Sequence, residues 1–144
     1  MPLTVEIVTP DRRAFQGAAA LVNLPTSMGV IGVLPGHQPI TTLIAAGEVV
    51  LTQADGKVVR LAVDKGFARV LADKVSVVTE AAIDEAKIDL KAIETAEERA
   101  RAAVAAARGQ KDVDPAELAK MEQILRFAAV QRLIKGRSSP GLTD

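Results

Sequence analysis

The chain has 144 residues, which is enough for one ordinary domain or for one small domain with an appendage. Its 18 basic and 18 acidic residues give a formal net charge of zero, so no overall field would attract it to phosphate backbones or anionic lipid. The chain has no cysteine, which excludes disulfides and thiolate metal sites. Tyrosine and tryptophan, the usual stacking platforms for single-stranded nucleic acid, are also absent, and we expect no nucleic-acid partner.

Neither the longest uncharged stretch nor the start of the chain predicts insertion into a membrane. Residues 14–47 carry no charged side chain, but glycines and prolines interrupt them too often for a membrane-spanning helix. Residues 1–6 lack the basic cluster and apolar core of a signal peptide. We therefore expect a protein on the cytoplasmic side without direct membrane insertion.

Strand signals recur at short intervals from residue 3 to residue 79. Leu3, Val5 and Ile7 alternate with other residues, as in a strand with one buried face. Asp55-Gly56 lies between two β-branched runs and predicts a tight hairpin, and Ala72-Asp73 lies between two more. This spacing predicts an antiparallel β-sandwich or flattened barrel over residues 1–82.

The pattern changes to a helical one after Thr79. No glycine or proline occurs from Asp84 to Arg108, and alanine, glutamate, lysine and arginine dominate, so a first helix is expected there, with Gly109 as a left-handed stop. Residues 114–117, Asp-Pro-Ala-Glu, predict the start of a second helix that runs to about Lys135 and ends at Gly136. The expected fold is therefore α+β by segments, with an antiparallel helical hairpin over 83–136 and a flexible tail over 137–144.

The apolar faces of the two predicted helices differ in the size of their side chains. The stripe on the second helix contains leucine and methionine, whereas the stripe on the first is mostly alanine. A buried alanine methyl contributes under about 1 kcal/mol, against roughly 1.5–3 kcal/mol for a leucine side chain. Weak closure of stable helices predicts a candidate switch, although a hairpin that packs and never opens fits the same pattern.

A search for catalytic chemistry finds little support. His37 is the only histidine, and its Gly-Pro setting favours a turn or interface residue over a general base. Gly29 and Gly32 lack the Gly-Lys-Ser/Thr ending of a phosphate-binding loop. We expect a non-enzymatic protein with no catalytic residue and no metal site. A small hydrolase acting through His37 and a neighbouring acid is one alternative, and a free-standing adaptor or chaperone is another.

One loop carries a specific resemblance. Residues 29–40, Gly-Val-Ile-Gly-Val-Leu-Pro-Gly-His-Gln-Pro-Ile, closely resemble the hallmark loop of the epsilon subunit of bacterial-type F-type ATP synthases. Residues 5–10, 66–70 and 75–78 agree with the same family, and the resemblance covers about residues 2–135.

The resemblance implies a non-catalytic subunit of the central stalk, peripheral on the cytoplasmic face of the cell's inner membrane. Its partners would be the gamma subunit, the c-ring of the membrane sector and, through extended C-terminal helices, the alpha/beta catalytic head. The sandwich would couple ion translocation to ATP synthesis, and the hairpin would inhibit ATP hydrolysis. The implied interface residues are Met28, Val30, His37 and Gln38. Val30 departs from the acidic or polar residue of many relatives, so a packing contact would replace a polar one.

The resemblance also raises the question of a regulatory nucleotide. Some bacterial relatives bind ATP through an Ile-Asp-x-x-Arg-Ala motif at the start of the first helix. The aligned residues here are Ile83, Asp84, Lys87 in place of arginine, and Ile88 in place of alanine. Lysine lacks the planar fork of arginine and cannot reproduce bidentate contacts, so weak or absent ATP binding is predicted. Any remaining site would use Asp84, Lys87 and Arg126, and no other cofactor is expected.

Overall fold

The computed structural model describes residues 2–110 and 112–137, with only the backbone of Arg137. A strand-rich part followed by two helices confirms the predicted fold class. The chain divides into two compact units, of which the first ends at Lys87 and the second begins at Ile88. The sandwich unit therefore extends beyond Ala82, the boundary expected from the sequence. The tail expected over 137–144 lies outside the described residues, apart from the backbone of Arg137.

Ten strands form the first unit. In chain order they are β1 Leu3–Val8, β2 Arg13–Ala19, β3 Leu21–Thr26, β4 Gly29–Val33, β5 Ile40–Ile44, β6 Gly47–Thr52, β7 Val58–Val63, β8 Gly66–Leu71, β9 Lys74–Thr79 and β10 Ala82–Asp84.

The strands follow a path that returns close to its own start. The order is β10-β7-β6-β3-β5-β8-β9-β1-β2, and β4 pairs with β3 beside this path. Only β1 and β9 run parallel among the described pairings. Arg12, just before β2, donates from Nη2 to the carbonyl oxygen of Ala82 on β10 at 2.8 Å. This side-chain bond, and not strand pairing, joins the two ends of the path, so the flattened barrel is nearly closed.

The core of the sandwich is aliphatic. The inward residues of β1, Leu3, Val5 and Ile7, are fully buried, which confirms the predicted alternation. Val75 and Val77 of β9 lie beside Val5 and Ile7 in the parallel register. Burying such a side chain contributes about 1.5–3 kcal/mol, so the pairing of β1 with β9 anchors the start of the chain.

The two predicted hairpin turns form through different backbone solutions. At the first, Gly56 has φ +87°, and Asp55 Oδ1 accepts a hydrogen bond from the Lys57 amide at 2.9 Å. At the second, Ala72 and Asp73 have φ 50° and 61°, so two residues other than glycine take the left-handed region. Both predicted hairpins are confirmed, as β6–β7 and β8–β9.

The first helix begins later than the sequence predicted. Residues Ala82–Asp84 form β10 against β7, and Glu85–Lys87 form a single 3₁₀ turn. Helix α1 then spans Leu90–Arg108, and its N-cap Asp89 accepts from the amides of Lys91 and Ala92. The helical start at Asp84 was wrong because strand pairing with β7 outweighs the local helix propensity, which is a weak preference.

Helix α2 spans Pro115–Arg137 and begins where the sequence predicted. Asp114 Oδ1 accepts from the Ala116 amide at 2.9 Å, as a cap should. Gly109 ends α1 as predicted, but with φ −89° rather than in the left-handed region. The prediction that Gly136 ends the second helix was wrong, because Gly136 lies within α2. A glycine costs a helix only about 1 kcal/mol, so it does not have to end one.

The second unit is an antiparallel hairpin. Ala103 and Ala107, near the end of α1, line the same cavity as Leu118 and Met121, near the start of α2. Farther from the connection, Glu97 of α1 is buried and bonds to Arg132 of α2. The hairpin fold is as predicted, but this polar link joins residues 35 positions apart and has no local signal in the sequence.

We expect Gly66→Ala to destabilise the sandwich by more than about 3 kcal/mol, because overpacking against a backbone atom cannot be relieved by a rotamer change. A Cβ at Gly66 would lie 1.9 Å from the carbonyl oxygen of Val78. The measurement is urea unfolding followed by circular dichroism. As the control, Gly136→Ala in α2 meets no atom within 4 Å, and it should stabilise the helix by up to about 1 kcal/mol. An unchanged midpoint for Gly66→Ala would contradict the close approach.

Candidate functional site

The β3–β4 hairpin presents an apolar tip. Thr26 holds the turn, because its hydroxyl donates to the Gly29 carbonyl oxygen at 2.5 Å and accepts from the Met28 amide at 3.2 Å. Gly29 has φ +115°, which favours glycine at this position. As a result the side chains of Met28 and Val30 are 96% and 71% exposed. Large apolar side chains held outward by a rigid turn are a candidate contact for a partner.

The loop between β4 and β5 carries the other two predicted interface residues. The His37 amide donates to the Leu34 carbonyl oxygen at 3.1 Å, and Gly36 between them has φ +84°. His37 Nδ1 lies 2.6 Å from the Gln38 carbonyl oxygen. Because a carbonyl oxygen only accepts, this distance requires the proton on Nδ1. Gln38 is exposed and His37 is half-buried.

The structure divides the four predicted interface residues into two pairs. Met28 and Val30 lie at the tip before and at the start of β4, whereas His37 and Gln38 follow the other end of that strand. A five-residue strand places its ends about 13 Å apart at 3.3 Å per residue. The pairs therefore belong to opposite ends of β4, which the linear motif does not reveal.

Asp73 positions the histidine loop, a role that was not predicted from the sequence. Its Oδ1 accepts from the Gly36 amide at 2.8 Å, across 37 positions of the chain. Its carbonyl oxygen accepts from the Thr4 amide of β1 at 2.8 Å. One residue in a left-handed turn thus joins the loop, β1 and the β8–β9 turn. Local patterns do not detect such a bond because its partners are distant in sequence.

The sandwich also has an outward apolar row on three neighbouring strands. Leu43 of β5 pairs with Phe67 of β8, and Phe67 pairs with Val78 of β9. Their exposed fractions are 68%, 49% and 39%. Residues directly opposite on adjacent strands share a face, so these three side chains form one patch, which we call the apolar row. In the sequence each of the three is an apolar residue at an outward position of an alternating strand, where other outward positions are polar, such as Thr41 and Arg69.

Comparison with known families identifies the chain. The model of the ATP synthase delta/epsilon chain, beta-sandwich domain, matches residues 2–85, more than half of the chain. The chain belongs to this family. Membership confirms the resemblance seen in the loop at residues 29–40 and the prediction of a delta/epsilon-type subunit of an ATP synthase. It also favours this function over a free-standing adaptor.

Curated relatives extend the similarity into the helical part. The ATP synthase epsilon chain 2 of Ralstonia nicotianae is 32% identical over 138 residues, which cover 95% of this chain and 99% of the relative. The ATP synthase epsilon chain of Rhodococcus jostii is 43% identical over 91 residues, 62% of this chain and 75% of the relative. The longer match shows that both units have counterparts in one epsilon chain.

A solved structure shows the same fold. A chain of the Euglena gracilis mitochondrial ATP synthase, in a cryo-EM structure of its OSCP/F1/c-ring, superposes with a TM-score of 0.68 at 24% identity. The superposition covers 92% of this chain and 80% of that one. At this identity the likeness shows the architecture of the family and no more.

The residues aligned with the nucleotide motif do not occupy a helix start. Ile83 and Asp84 lie on β10, opposite Ala62 and Leu61 of β7. Asp84 Oδ1 accepts from the Ala86 amide at 2.9 Å, and Lys87 ends the 3₁₀ turn. Arg126 belongs to α2 in the second unit. Weak or absent ATP binding stays a prediction.

Other polar groups of the sandwich serve local structure. The Thr9 hydroxyl donates to Asp11 Oδ1 at 2.6 Å, and this bond lowers the pKa of the Asp11 carboxyl.

No group of three or more His, Asp or Glu side chains is placed to hold a metal ion in residues 2–110 and 112–137. None of the described helices is both long enough and apolar enough to cross a membrane.

We expect Asp73→Gly to loosen the histidine loop and Asp73→Asn to preserve it. Both replacements tolerate the φ of 61°, but only asparagine keeps an oxygen that can accept from Gly36. Losing one hydrogen bond should lower the exchange protection of the Gly36 amide about tenfold, because such a bond contributes about 0.5–1.5 kcal/mol. Hydrogen exchange followed by NMR measures this protection. Equal protection in the two variants would show that the Asp73 side chain does not hold the loop.

Proposed function

We propose that the protein is a non-catalytic coupling subunit whose sandwich binds the gamma subunit and the c-ring at two separate surfaces. The observation that supports this most directly is the pair of exposed apolar features on one rigid body, the tip at Met28 and Val30 and the apolar row. A subunit that connects two partners needs two surfaces held at a constant separation. The nearly closed strand path supplies that rigidity.

The tip is the proposed contact with the c-ring. Thr26 fixes the turn from inside, so little backbone freedom is lost at the tip on binding. Met28 is flexible and polarizable and suits an uneven apolar surface. Val30 adds a β-branched side chain, which stands out from β4. The contact would rest on packing rather than on a charge.

The apolar row is the proposed contact with gamma. Phe67 is flanked by Leu43 and Val78, and large aromatic residues at the centre of an apolar patch are frequent binding hot spots. The patch lies on strands of the sandwich rather than on a loop, so its residues keep their spacing. Such a surface is suited to a permanent subunit contact.

The chemistry of His37 supports a non-catalytic role. The hydrogen bonds that the structure describes for His37 go to backbone carbonyl oxygens of its own loop, those of Gln38 and Leu34. The histidine instead completes a turn that Asp73 holds. His37 and Gln38 are proposed to present this loop to a neighbouring subunit at the end of β4 away from the tip.

The hairpin is proposed as the inhibitory arm. Its helices have strong helix-forming sequences and form a compact unit of their own, so they can keep their structure when they move as a body. In this proposal the helices extend along gamma toward the alpha/beta catalytic head and slow ATP hydrolysis. The sandwich remains peripheral on the cytoplasmic face of the membrane, bound through the c-ring and without insertion.

The two proposed surfaces predict a crossed effect of two variants. Met28→Ser with Val30→Thr should weaken binding to detergent-solubilised c-ring about tenfold and leave gamma binding within about twofold. Phe67→Thr should weaken gamma binding about tenfold and leave c-ring binding within about twofold, because threonine favours a strand but lacks the aromatic ring. Titration of each variant with purified gamma and with c-ring, followed by biolayer interferometry, measures both affinities.

Val58→Thr is the control, since Val58 is also an exposed apolar strand residue, 46% exposed, and lies outside both surfaces. It should bind both partners as the parent does. If the two test variants weakened both partners equally, or if the control did so, the assignment of two separate surfaces would be wrong.

Removal of the hairpin should separate coupling from inhibition. A chain that ends at Lys87 keeps β10 and the 3₁₀ turn, whereas one that ends at Ala82 would lose most of the strand that pairs with β7. We expect the chain ending at Lys87 to support ATP synthesis in reconstituted vesicles and to raise ATP hydrolysis severalfold over the full chain. Equal hydrolysis with the two chains would refute the inhibitory role and leave the coupling role intact.

A further inference from the structure

Glu97 is a buried acidic residue in a helix whose other carboxylates face solvent. It is 6% exposed, whereas Glu94 and Glu98 on the same helix are exposed. It lies between the buried residues Ile93 and Ala100 on α1. A carboxylate is costly to bury unless charged partners compensate it, so its place in the hairpin needs an explanation.

Two arginines share the carboxylate, one from each helix. Arg132 of α2 donates from Nε to Oε1 at 2.5 Å, and Arg101 of α1 donates from Nη2 to Oε2 at 3.2 Å. The first bond crosses between the helices, and the second stays within one turn of α1. The side chains of Arg132 and Arg101 are 50% and 67% exposed, so solvent reaches both guanidinium groups.

This asymmetry makes the carboxylate sensitive to separation of the helices. The buried apolar side chains beside Glu97 on α1 are those of Ile93 and Ala100, and dispersion contacts with them do not compensate the burial of a charge. In the closed hairpin the carboxylate is shielded and depends on Arg132 for its charge-assisted bond across the interface. Loss of that partner leaves a buried carboxylate under-compensated while the hairpin stays closed, and opening relieves this cost by hydrating the group.

We propose that Glu97 and Arg132 form a latch that sets the equilibrium between closed and open hairpin, and that Arg101 only orients the carboxylate. The regulatory meaning of the latch rests on the proposed inhibitory function of the hairpin. The latch itself is a property of this chain, and it can be tested without the rest of the enzyme.

The chain lends itself to a distance measurement, because it contains no cysteine that would have to be removed. Cysteines at Ala102 and Ala129, exposed positions on α1 and α2, would carry spin labels in the full chain. Double electron–electron resonance then gives the fractions of closed and open hairpin. Arg132→Gln and Arg101→Gln are a matched pair, since each removes one guanidinium from the same carboxylate but only Arg132 lies on the other helix.

We expect Arg132→Gln to raise the ratio of open to closed hairpin about tenfold, because the buried carboxylate loses its charge-assisted bond to the opposite helix. Arg101→Gln should change it by less than about twofold, as is usual for an exposed partner within one helix. Glu97→Gln should raise this ratio by a factor between those of the two arginine variants, because the amide oxygen still accepts a hydrogen bond but carries no charge. Far-UV circular dichroism checks that the helices remain folded in each variant.

The latch proposal would be wrong if the two arginine variants raised the ratio of open to closed hairpin equally. It would also be wrong if Arg132→Gln left this ratio unchanged. If Arg132→Gln unfolds the helices, Glu97→Gln becomes the test variant, and an unchanged fraction of closed hairpin in that variant overturns the proposal.

Measurement of ATP hydrolysis with the same variants distinguishes the latch from the inhibitory function. A variant that opens the hairpin without changing hydrolysis supports the latch and refutes the inhibitory function, whereas stronger inhibition without opening refutes the latch alone.

Discussion

The parallel contact between β1 and β9 is the interaction on which the sandwich depends. It inserts the first strand between β9 and β2, buries Leu3, Val5 and Ile7 beside the valines of β9, and so joins the start of the chain to the end of the strand-rich region. Pairing between residues about 70 positions apart carries a loop-closure cost, which the buried aliphatic side chains offset. The same contact brings Thr4 to the carbonyl oxygen of Asp73, whose side chain holds the histidine loop.

The proposed function follows from rigidity rather than from chemistry. A nearly closed strand path presents an apolar tip and an apolar row on elements that are themselves paired, so the separation of the two surfaces is set by the sheet. His37 lies in a turn that backbone and side-chain bonds define. These features suit a body that transmits motion between neighbouring subunits of an ATP synthase.

The hairpin combines stable helices with limited apolar packing. Alanine and charged residues give α1 its helical preference but provide few large side chains for contact with α2. A shared carboxylate adds a directional interaction, which depends on one side chain from the opposite helix. Closure that rests on a polar bond is easier to shift than closure that rests on a broad aliphatic interface, and a regulatory arm requires such a shift.

Local patterns in the sequence determined much of this protein. The alternation of β1, the hairpin at Asp55-Gly56, the start of α2 at Asp114-Pro115 and the family itself could all be predicted, because each depends on neighbouring residues. Strand β10 could not, since residues 82–84 adopt it only through their partner β7. For the same reason the tertiary structure alone decided the assembly of the apolar row, the contact of Asp73 with Gly36 and the burial of Glu97 beside Arg132. Each joins residues that are distant in the chain, and strand register or helix pairing brings them together after the local elements have formed.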